Sequence, residues 1–107
     1  MTQIESTVYR DAYELKADGH ATGSVEACAA ISVLMQAAAL WVWRHGRRDD
    51  QVLEDGHACV VIPRSIPGSK TVYDLINSAL ETIAEDDENF CNFWPNLGHE
   101  SEFRLLQ

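Results

Sequence analysis

From Ala27 to Trp43 the only polar side chains are Ser32 and Gln36, and Arg44, Arg47 and Arg48 follow at once. A run this apolar has to leave water, and that requirement limits the folds open to the chain. Its length is at the short limit for a bilayer span and much of it is alanine, which inserts weakly. The run therefore reads as a helix buried on most of its faces within a domain, not as a membrane segment. Ser24 offers an N-cap, Glu26 places a negative charge in the first turn, and Arg44 and His45 stand at the C-terminal end before Gly46. Trp41 and Trp43, two residues apart, project to different sides, one toward the core and one toward a second copy.

Strand signals flank this helix. Ile4 to Val8 and Ala12 to Lys16 alternate apolar and polar residues around a turn at Tyr9-Arg10-Asp11. Loop chemistry fills Asp18 to Ser24. Gln51 to Glu54 and His57 to Ile62 form a second hairpin about Asp55-Gly56, and Pro63 ends it. After a loop over Arg64 to Lys70, a helix from about Thr71 to Glu85 carries Val72, Leu75, Ile76, Ala79, Leu80 and Ile83 at helical spacing. The expected fold is α+β: an antiparallel sheet from two β-hairpins with two packing helices, in the order ββαββα, over residues 1–90. Residues 91–107 hold Phe93, Trp94, Leu97 and Phe103 and read as a C-terminal tail docked on the domain or on a partner.

A chain of 107 residues is one domain, and a homodimer is expected at this size. The net charge of −9 repels phosphate backbones and anionic lipid, which argues against nucleic-acid or membrane partners and for a basic protein or peptide. Cysteines at 28, 59 and 91 are odd in number and lack framework spacing, and the N-terminus has no apolar signal core. The expectation is a reducing, cytoplasmic location.

One constellation could carry chemistry. Cys28 falls in the first turn of the long helix, where the dipole favours the thiolate that makes cysteine a nucleophile. His20 precedes it across a loop long enough to bring an imidazole within reach. Asp18 or Glu26 could orient that ring, and backbone N–H groups around Gly23 and Ser24 could hold an oxyanion. The other reading is a core cysteine behind an ordinary loop. Asp55-Gly56-His57-Ala58 repeats the tetrapeptide Asp18-Gly19-His20-Ala21, with Cys59 next. A zinc site on these residues lacks C-x-x-C or H-x-x-x-H spacing, and neither metal nor cofactor is expected.

The run D-G-H-A, a glycine-containing loop and then Cys28-Ala29-Ala30-Ile31-Ser32 resembles the ribosomal-processing cysteine protease Prp family. The Asp55-Gly56-His57 turn and Leu75 to Phe90 are similar to that family's second hairpin and closing helix. The resemblance implies a homodimeric cysteine peptidase with Cys28 as nucleophile and His20 as base. It also implies a substrate that is the N-terminal extension of a ribosomal protein or, in phage relatives, a capsid-type protein, in a bacterial or phage-infected cell. The family usually has a longer loop and an aspartate three residues before the cysteine, where this chain has Val25. The alternative that follows is a catalytically inactive dimeric binding or structural module of the same fold, in a phage particle.

Overall fold

The computed structural model describes residues 2–19, 25–45, 51–54, 56–86 and 91–96. Alternation in the first strand, β1 (Thr2–Val8), and the second, β2 (Ala12–Asp18), gives each an apolar face, and the two pair antiparallel with Ser6 opposite Leu15. The tight connection closes through Tyr9 N–H to Ala12 O at 2.8 Å. The apolar run becomes helix α1 (Val25–Arg44). A short β3 (Val52–Glu54) and a longer β4 (His57–Pro63) make the second hairpin, followed by α2 (Ser69–Asp86). The proposed cap Ser24, the helix-end Gly46 and the turn residue Asp55 lie outside the described residues.

The sheet is mixed, not purely antiparallel. A fifth strand, β5 (Cys91–Asn96), lies parallel to β1, in the order β3-β4-β2-β1-β5. β4, α2 and β5 form a crossover over β2 and β1, and a helical crossover returns the chain in the direction in which it left. Asparagine and Pro95 hide this strand in the sequence. Proline is tolerated here because β5 lies at the described edge of the sheet. Cys91, which reads as exposed from its neighbours, is buried, and Phe93 packs on the core.

Both helices cover one face of the sheet. α1 buries Ala27, Ile31, Met35, Ala38, Ala39 and Val42 and contacts β4 and α2. Val25, Val33, Leu40 and Trp43 stay exposed, so α1 is buried along one stripe and not on most faces. α2 buries Ser69, Tyr73, Ile76, Leu80 and Ala84, a stripe offset from the expected one: Leu75 is 70% exposed and Tyr73 replaces it in the core. The reason is a polar handle that apolar spacing does not register. The Tyr73 ring stacks on Tyr13 at 4.2 Å between centroids, and its hydroxyl bonds the buried Ser6 Oγ. Arg64 lies 5.1 Å from the Tyr13 ring centroid, so Tyr13 contacts Tyr73 and a guanidinium. α2 starts where Gly68, at φ +89°, turns the chain and its carbonyl accepts the Val72 N–H at 3.0 Å.

Leu80 is fully buried, so Leu80→Ala is expected to lower unfolding free energy by about 2–5 kcal/mol. Leu75→Ala is expected to stay within about 0.5 kcal/mol. Urea denaturation of the two variants checks both the stripe and its offset.

Candidate functional site

The site is assembled where β2 ends, the second hairpin turns and α1 begins. Antiparallel pairing of β2 with β4 sets Asp18 directly opposite His57, and their side chains bond through Asp18 Oδ1 and His57 Nδ1. A carboxylate oxygen accepts, so Nδ1 carries the proton in this contact. Just beyond, the Gly19 N–H donates to Gly56 O at 2.8 Å. Both glycines adopt positive φ, +90° and +76°, which side-chain-bearing residues rarely take.

Between this corner and α1 opens a cavity of about 520 Å³. Cys28, Ser32, Met35 and Gln36 reach it from successive turns of α1. Ala17 and Ala58 supply its floor, Leu53 and Glu54 come from β3, and Gly19, Gly56 and His57 form a wall. Cys28 is half-buried and packs against the core, so its thiol is neither sealed in nor fully solvated. The Gln36 amide donates to Ser32 Oγ at 2.9 Å along the same helix face.

The strand phase that carries Asp18 and His57 holds a second polar group. Glu14 is only 7% exposed; Lys16 Nζ stands 3.8 Å from its Oε1, and the Cys59 thiol donates to its Oε2 at 3.7 Å. Burial, reinforced by the Glu14 charge, pushes the Cys59 thiol up to about 12. Tyr9 is also raised, mainly by burial, and Lys16 is raised mainly by Glu14. His57 and Cys59 thus engage different carboxylates. Among the described residues no three His, Cys, Asp or Glu side chains gather as a metal site would require.

Of the residues the sequence singles out, Cys28 lines the cavity and Asp18 stands at its corner, bonded to His57. Glu26 is exposed in the first turn of α1 and is not part of the cavity lining. His20, Gly23 and Ser24 lie outside the described residues. Apart from a zinc site that the spacing does not support and a place in the second hairpin, His57 has no role in the sequence pattern; the signal that points to its pairing is the repeated tetrapeptide. Ser32, Met35 and Gln36 follow Cys28 at helical spacing, a signal that was open to reading as core alone.

Several solved structures share this architecture. The ribosomal processing protease Prp from Staphylococcus aureus, in complex with a covalently linked product peptide, is 18% identical. It superposes with a TM-score of 0.72, over 90% of this chain and 100% of that one. The same protease in complex with a substrate peptide gives 19% and 0.69 over the same shares. SMU.848 from Streptococcus mutans gives 18% and 0.61, covering 90% of this chain and 94% of that one. No protein-family model and no curated protein matches the chain. At these identities the likeness shows the fold, which is that of Prp.

The Cys59 environment carries a pH signature. Its thiol stays protonated in the fold while the unfolded chain ionises near the ordinary value of 9.0. Between there and about 12 the unfolded state binds fewer protons, so stability falls as pH rises. Cys59→Ala is expected to flatten that alkaline fall in thermal melts between pH 8 and pH 10.5. In the native protein near pH 7.5, iodoacetamide is expected to label Cys28 ahead of Cys59 and Cys91, read by peptide mass mapping.

Proposed function

We propose that the chain is a cysteine peptidase in which Cys28 is the nucleophile and His20 the general base. The observation that carries this reading is the position of Cys28. It stands in the first turn of α1, half-buried, and opens into the cavity. The fold shared with Prp structures that hold a substrate or product peptide supports it.

The chemistry runs in two halves. His20 takes the Cys28 proton, and the thiolate attacks the scissile carbonyl, whose oxygen gains the negative charge. The partial positive charge at the N-terminus of α1 stabilises that oxyanion. Collapse expels the amine, which receives the proton from His20, and leaves a thioester on Cys28. Water, deprotonated by His20, then attacks the thioester, releasing the carboxylic acid and the free thiol.

The substrate in this reading is the N-terminal extension of a ribosomal or capsid-type protein, and the acidic chain suits a basic one. Glu54 places an acid on the cavity itself. Val25, Val33, Leu40 and Trp43 lie along one exposed stripe of α1, which a second copy of the chain covers in a homodimer. Cys28, Cys59 and Cys91 are thiols rather than halves of disulfides, which suits a cytoplasmic protein.

Cys28→Ala is expected to abolish cleavage of a large-subunit ribosomal precursor and of a capsid-type precursor, while the fold remains intact by circular dichroism. His20→Ala is expected to lower kcat by at least about a hundredfold. Cleavage by the Cys28→Ala variant at the parent rate overturns the reading. In sedimentation experiments, Leu40→Glu is expected to convert the dimer to monomer.

A further inference from the structure

The described residues of the two identical tetrapeptides are partners in the fold. Antiparallel pairing brings the aspartate of the first, Asp18, against the histidine of the second, His57, and links their glycines through Gly19 N–H to Gly56 O. On its other flank His57 stands opposite Glu54 of β3. Gly56 and His57 thus brace Gly19 and Asp18. We infer that His57, through its bond to Asp18, is a positioning residue for the Cys28 cavity. This inference rests on the peptidase reading.

Strand alternation explains how the brace acts. Ala17 and Ala58 share the phase of Leu15 and Val60 and face the helices, so Asp18 and His57 take the opposite phase. The same corner, Gly19, Gly56 and His57, is one wall of the cavity into which Cys28 opens. Both glycines hold positive φ, a conformation that glycine leaves easily when nothing pins it. A side-chain bond at the sheet end therefore fixes the backbone of the wall. His20, the proposed base, follows Asp18 by two residues in the chain.

The pair is poorly suited to a role in global stability. The His57 and Asp18 side chains are 44% and 50% exposed, and exposed ion pairs add little to folding. What the bond restricts is local geometry, and an error of about 1 Å at a reacting site lowers turnover by up to about a hundredfold. Position and stability thus come apart in experiment.

The test compares His57→Phe, which keeps a ring and removes the Nδ1 donor, with His57→Asn, whose amide nitrogen restores a donor near the same place. For the Phe variant, cleavage of the ribosomal precursor is expected to show kcat lower by about tenfold or more, KM within about twofold and an unchanged melting midpoint. The Asn variant is expected to recover to within about threefold of the parent. A readout independent of catalysis is hydrogen exchange at the Gly19 amide, expected to speed up by about tenfold in the Phe variant and to recover in the Asn variant. Gly19 exchange that does not respond overturns the brace whatever the activity does. Faster exchange with unchanged kcat overturns the positioning role. Failure of the peptidase reading itself shows separately, as cleavage that survives Cys28→Ala.

Discussion

The register of β2 is the constraint on which the rest of the molecule depends. It is hydrogen-bonded on both flanks, with Leu15 opposite Ser6 of β1 and Val60 of β4. Tyr13, Leu15 and Ala17 meet the helices, while Glu14, Lys16 and Asp18 take the other phase. A slip of one residue would send the carboxylates into the core and the apolar side chains out of it. The same register sets Tyr13 beneath Tyr73, Cys59 against Glu14 and Asp18 against His57. Core, buried carboxylate and cavity corner all follow from one alignment.

The sheet separates two thiols in different settings. Cys28 belongs to a helix start beside an open cavity. Cys59 donates to a buried carboxylate, which favours its neutral form. Composition makes them alike, since each sits among small apolar residues. Their chemical difference comes from which element carries each one and which charge faces it. The site is therefore a property of the β2–β4 pairing and the first turn of α1 together.

Where the chain speaks through periodicity, the sequence was easy to read. Both hairpins, the long helix and the amphipathic helix stand within a few residues of their expected limits, because alternation and helical spacing are local signals. Three features escaped. β5 escaped because Pro95 and two asparagines mask a strand that only its position beside β1 stabilises. The phase of α2 shifted because Tyr73 is selected by Ser6 and Tyr13, residues distant in the chain. The exposed stripe of α1 escaped because an apolar run announces that it leaves water without saying which sides do so inside one domain. At the site, Cys28 could be found from its helix-start position, whereas the pairing of Asp18 with His57 depends on a register that one strand cannot reveal alone.

The parallel seam between β1 and β5 has a consequence for how the molecule is made. It joins Thr2 to Cys91, so β1 is made long before the strand that completes its pairing. The β1–β2 hairpin can form early from neighbouring residues, but its outer strand then presents unpaired backbone groups until β5 is made. Contacts of such long sequence separation form late and slowly. Among the described strands, the sheet of a nascent chain is zipped from its middle outward, and the seam at β5 is the last stitch.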